Sequence, residues 1–219
     1  MIAMLVQLMP WQGSLVLAAN DWTGASDSTW DNGGNWSGAA APTLVGDAVF
    51  VSPIPGSGST IFLNTGETAN SLTFNDSYAL SFGSLQLGAS GQINVLSGMT
   101  ASIDSAITGT SLTKVGAGRL VLTGLNTYSG PTTISGGVLS ATVSSSANSL
   151  SNGPINLNGA TLDLTPIANT SSNGISARQF TTTGQNDTQK VDYTQTATAI
   201  RQDGNINFLD NTQLPPANA

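Results

Sequence analysis

Between Val45 and Leu164 no apolar alternation runs longer than four residues before Gly, Ser, Asn or Asp interrupts it. Strand candidates fall at 48–51, 61–63, 71–74, 79–82, 85–87, 93–95, 101–103, 112–114, 120–122, 133–134, 138–139, 155–157 and 162–164. Pairs such as Leu85/Leu87, Ile93/Val95, Leu120/Leu122, Ile155/Leu157 and Leu162/Leu164 repeat with the strand period of two, and no segment carries an apolar stripe at helical spacing. Strands this short do not build an ordinary sandwich. They suit a chain that coils, laying each strand on the one a coil earlier, so that hydrogen bonds run along the stack and inward aliphatics form a continuous core. The expected fold is all-β: a single-stranded right-handed parallel β-helix (β-solenoid) with polar terminal caps. With tiers about 4.8 Å apart and coils of order 20 residues, the rod is about 25 Å long, and its two ends need cover.

One stretch shows the perimeter of a single coil: GRLVLTGLNTYSGPTTISGG, residues 118–137. Leu120, Leu122, Ile134 and Leu139 are the expected core carriers, and Gly118, Gly124, Gly130 and Gly137 the corners, where glycine supplies backbone angles that side chains resist. Asn126 is placed to stack on polar neighbours inside a turn. Lys114 and Arg119 flank a glycine corner; an anion clamp is one reading, and outward, solvated positions are the expected one.

Only 8% of the 219 residues are charged, so the surface must be built from Ser, Thr, Asn and Gln. The net charge is −7, and residues 1–113 hold seven acids and no Lys or Arg. No basic patch is available to recruit a phosphate backbone or an anionic lipid surface, which argues against nucleic-acid binding. The chain has no Cys and no His. That removes disulfides, thiol nucleophiles, the usual triads, and thiolate or imidazole metal sites. Isolated acids at Asp76, Asp104 and Asp163 place no carboxylate pair, so a polysaccharide-active enzyme is the least favoured reading. No catalytic residue, metal ligand or cofactor is assigned.

The apolar stretch from Ile2 to Ala18, followed by small residues at Ala18-Ala19, resembles a secretory signal peptide over 1–19. Residues 20–70 then form a Trp-rich N-terminal cap and first strands. Two readings stand for Trp22, Trp30 and Trp36: a hydrophobic cap over one end of the core, or, with Tyr128, a stacking platform for carbohydrate. Asp31-Asn32-Gly33-Gly34-Asn35 offers oxygen ligands to calcium but lacks the alternating acids of a calcium loop, and is read as a turn. The Asn-x-Ser/Thr sequons at Asn35, Asn75, Asn169 and Asn186 are what this composition produces. The solenoid occupies 71–168. Residues 169–219 read as a polar C-terminal cap and tail, in which Val191, Tyr193, Ile200, Ile206, Phe208 and Leu209 are available to close the open end.

The 112–141 stretch resembles the autotransporter-associated β-strand repeat (passenger-associated transport repeat). Leu112, Lys114, Gly116, Gly118, Leu120, Leu122, Gly124, Asn126, Tyr128, Gly130, Thr132, Ile134, Gly137 and Leu139 occupy the places of its pattern. Trp30-Asp31-Asn32-Gly33-Gly34-Asn35-Trp36 and the later LSNGPINLNGATLDL are similar to sections flanking that repeat in exported bacterial proteins. The resemblance implies a non-enzymatic structural or surface-display module, secreted or at the cell surface of a bacterium, with a role in adhesion. Its expected partners are extracellular glycans or surface proteins. Membrane attachment is expected only through a partner or a separate barrel, since no ten-residue alternating strands with aromatic girdles close the sequence. A carbohydrate-binding module is the alternative.

Overall fold

The computed structural model describes residues 19–54, 58–143, 149–151, 153–166, 180–182 and 188–191. Sixteen strands and one 3-10 turn make up its regular structure. They are β1 (Asn20–Trp22), β2 (Ala48–Phe50), β3 (Thr60–Phe62), β4 (Glu67–Phe74), β5 (Ala79–Ser81), β6 (Ser84–Val95), β7 (Thr100–Ile103) and β8 (Ala106–Thr108), then β9 (Leu112–Val115), β10 (Arg119–Leu122), β11 (Thr132–Ile134), β12 (Val138–Val143), β13 (Ile155–Leu157), β14 (Thr161–Pro166), β15 (Phe180–Thr182) and β16 (Thr188–Val191).

These strands form two sheets, and every ladder between them is parallel. One sheet runs β1-β2-β4-β6-β9-β11-β13-β15 with β8 beside β6; the other runs β3-β5-β7-β10-β12-β14-β16. The chain alternates between them, so each strand lies on its counterpart one coil earlier. This is the β-solenoid that the short strands and glycine punctuation call for. The registers define columns along the axis: Ala48, Leu72, Ile93, Lys114, Ile134 and Leu157 succeed one another in the first sheet. Ile61, Leu80, Ile103, Leu122, Ala141 and Leu164 do so in the second. All of these side chains are buried, and the two columns face one another as the core.

Two local findings differ from the sequence reading. Segments 85–87 and 93–95 are halves of one strand, β6, in which residues 88–91 bulge opposite the single Asn70 of β4 and the register shifts. Beyond it the halves pair separately with β8 and β9, which bends the wall of the coil into a third flank. The corner glycines also have a different reason from the one expected. Of the four, only Gly137 has a left-handed backbone (φ 61°). Gly118, Gly124 and Gly130 are required by close approach: a Cβ on each would lie 2.2, 2.4 and 2.3 Å from a main-chain oxygen of the preceding coil. Packed tiers leave the corner no room for a side chain.

The signal-peptide segment lies outside the described residues, apart from Ala19. In the C-terminal region the structure describes β15 and β16, which continue the two sheets in register with β13 and β14. Tyr193, Ile200, Ile206, Phe208 and Leu209 lie outside the described residues.

Candidate functional surface and the repeat coil

The tiers that share residues 112–141 are held to one another and to their neighbours by polar side chains that point inward. Leu120, Leu122, Ile134 and Leu139 are fully buried, as expected, and so is Leu112. Lys114 is buried with them, which corrects its expected outward position. Strand parity explains the correction: Lys114 follows Leu112 by two residues and sits in the aliphatic column between Ile93 and Ile134. Its four-carbon stem replaces an isoleucine, and the ammonium ends in a cage of main-chain oxygens. Nζ donates to the carbonyls of Val115 (2.7 Å), Gly116 (2.8 Å) and, one coil on, Gly136 (3.3 Å). Burial lowers its pKa from 10.5 to about 8. Lys114 is thus a bracket between two glycine corners, and no anion clamp forms with Arg119. Arg119 does face outward; its guanidinium pairs with Asp163 at 3.0 Å across two coils.

Asn126 is a second bracket. Its Oδ1 accepts from the Ile107 N–H of the coil before (2.7 Å), and its Nδ2 donates to the Ser149 carbonyl of the coil after (2.5 Å). The partners are backbone groups rather than the stacked polar side chains anticipated. Tyr128 is 1% exposed and shares a 2.5 Å hydrogen bond with the buried Thr132 hydroxyl.

The tryptophans lie inside, as the cap reading has them. Trp22, Trp30 and Trp36 are 0%, 0% and 3% exposed, so neither they nor Tyr128 present a face on which a sugar could stack. Trp36 meets Trp22 and Trp30 edge to face, with centroids 5.1 and 4.9 Å apart, and Phe50 stacks on Phe74 at 4.5 Å. The rings roof the first tiers of the core. Trp36 Nε1 donates to the Trp30 carbonyl at 2.7 Å. The loop carrying them is fixed by Asp27, whose carboxylate accepts from the Thr29 N–H and hydroxyl and from the Asn32 and Asn35 amides. These bonds, the Thr29 N–H foremost, hold it well below the usual carboxylate range. Residues 31–35 make a turn, with a 3-10 element at Gly33–Asn35 capped by Asn32. Asn35 is buried with both ends of its amide bonded, so its sequon presents no accessible acceptor.

The three acids weighed as catalytic groups each hold local structure. Asp76 accepts from Ser52 and the Ser77 N–H, Asp104 from Ser81 and the Phe82 N–H, and Asp163 from Arg119. Among the described residues no group of three or more His, Cys, Asp or Glu gathers to hold a metal. An open groove of about 440 Å³ beside Asn20, Ser37, Pro42 and Thr43 has no titratable side chain in its lining.

Among the described residues the exposed aromatics are elsewhere. Phe62 and Phe82 are 42% and 69% exposed, with centroids 5.7 Å apart on adjacent tiers. Alternation along Ala79-Leu80-Ser81-Phe82 puts Phe82 on the side of buried Leu80. A backbone at φ 65° turns it out instead. The only local hint was the glycine that follows it.

Residues 112–141 match the family model of the passenger-associated-transport-repeat. The chain is 33% identical over 195 residues, 78% of its length, to the Adhesin BmaC autotransporter of Brucella suis biovar 1 (strain 1330). It spans 5% of the length of that curated relative. No solved structure matches it.

Proposed function

We propose, taking the passenger-associated transport repeat as premise, that this β-solenoid is an exported, surface-displayed module of autotransporter-passenger type and that it serves in adhesion. The observation that carries the reading is that the strands of the 112–141 match pair in register with one another as successive tiers, β11 on β9 and β12 on β10, within a parallel stack. A stack of this kind holds its outer columns at fixed spacing and presents them without needing a catalytic cleft. The local structural use of Asp76, Asp104 and Asp163 supports a non-enzymatic role, and the likeness to an adhesin supports surface contact as the task.

The test is display followed by contact. The full chain is fused in frame ahead of an outer-membrane barrel in a Gram-negative host, and intact cells are treated with protease. The expected outcome is protease-accessible chain at the surface and more cells retained on a host-cell monolayer than with the barrel alone. A chain that stays protected inside the cell overturns the export reading; a displayed chain that leaves retention unchanged overturns adhesion.

A further inference from the structure

We propose that Phe62, Phe82 and the carboxylates of Asp31 and Glu67 form a docking patch for a cationic, apolar polypeptide segment, one presenting Arg or Lys between hydrophobic side chains. The patch is a single corner of the stack, organised by Asn64. The Asn64 Nδ2 donates to Asp31 (2.8 Å), its own N–H donates to the Glu67 carboxylate, and its carbonyl accepts from the Ser84 N–H of the next tier (3.1 Å). Phe62 stands two residues before Asn64 and is tied to the loop below by an isolated bridge to Thr29, its N–H donating to the Ser28 carbonyl at 2.8 Å. Above, Gly83 seats directly on Asn64, so near that a Cβ would lie 2.1 Å from the Asn64 oxygen. That contact delivers Phe82 to the same corner.

Two observations say that the corner is built to be met. The first is the backbone of Phe82: a bulky residue at φ 65° is a costly conformation that glycine would adopt freely. Asp104 holds it there, Oδ1 accepting from the Phe82 N–H (2.9 Å) and Oδ2 from Ser81 (3.1 Å). The consequence is an aromatic ring in water rather than in the core, beside a second exposed ring. The second is charge. Seven acids and no Lys or Arg occur in residues 1–113, so nothing there neutralises Asp31 and Glu67. The two acids already disfavour each other: desolvation first, then Asp31, raises the Glu67 pKa. Ring faces and carboxylates both attract cations, guanidinium above all. A second copy of this chain, net charge −7, would bring like charge to the patch. An anionic surface would be repelled for the same reason, and the rings, inclined at 36° to each other, offer no single plane to a sugar.

The site goes beyond display and is tested on the purified full chain, so its failure and a failure of export are separate results. Titration calorimetry is run with an amidated peptide alternating Arg and Leu, and with counterparts in which Ser or Glu replaces Arg. Phe82→Gly removes the ring at a backbone angle glycine prefers, so it keeps the fold; Phe62→Ser and the pair Asp31→Asn with Glu67→Gln complete the set. Expected are binding of the Arg peptide alone, loss of at least about tenfold in affinity in Phe82→Gly and in Phe62→Ser, and weakening in the neutralised pair and between about 50 mM and about 500 mM salt. Equal binding of the Ser or Glu peptide, unchanged affinity in both phenylalanine variants, or occupation of the corner by a neutral glycan or a second copy overturns the proposal.

Discussion

Lys114 shows how far single residues in this chain depart from their types. Side-chain parity alone places it inside, since Leu112 and Lys114 share one face, whereas the hydration of an ammonium favours the outside. What reconciles them is invisible in the sequence. A cage of three carbonyls exists only once the corners at Gly116 and Gly136 are stacked. The cage does not remove the cost of burial, so the group releases its proton early. Between pH 8 and 10.5 the unfolded chain therefore binds a proton that the folded chain does not, and stability rises with pH across that window. Tyr78 acts in the opposite sense. Burial, and then Asp76, raise its pKa to about 12, so above pH 10 the unfolded phenol ionises first and stability falls. Denaturant melts in steps of pH should show a rise from pH 8 toward 10 and a decline beyond, and Lys114→Met should abolish the rise while keeping the decline. Phe82 is the converse failure of parity, an expected core position turned out by one dihedral angle.

At the scale of elements the strands were legible and their joints were not. Alternating Leu, Ile and Val located nearly every strand, because inward positions must be apolar at a period of two whatever the topology. The joining of 84–95 into one strand depends on the Asn70 bulge, a relation between coils that no local pattern encodes. The corner glycines were found for an incomplete reason. Their spacing was plain, but three of the four answer to the carbonyl of the coil below rather than to their own dihedral angles. Gly118→Ala is accordingly expected to destabilise by about 1–3 kcal/mol or more, since its Cβ would lie 2.2 Å from the Leu96 oxygen and 2.7 Å from a Val95 methyl. Urea unfolding checks this; an unchanged midpoint would mean that the tiers separate at little cost.

For the molecule as a whole the stacking principle was readable, since three-residue strands with tight corners admit few other architectures. The use of the aromatics was open in the sequence, because the same tryptophans serve as a lid or as a platform according to the direction in which their loop folds. Here the loop is fixed inward by Asp27 and Asn35, and the indoles interlock over Phe50. Removing the central ring with Trp36→Ala should cost about 3–5 kcal/mol, through its lost contacts with Trp22, Trp30 and Phe50 and its lost hydrogen bond. Thermal melts give the measure, and a loss confined to a few tenths would show that the first tier stands without its roof. The parallel registers carry a mechanical corollary. Ile93, Lys114 and Ile134 are 21 and 20 residues apart, and the main-chain ladders of each tier run only to the tiers beside it. Under tension along its axis such a stack has no need to rupture at once. It can unspool ring by ring, each releasing on the order of 70 Å of extended chain, so that a steady pull meets a series of small yields instead of one break.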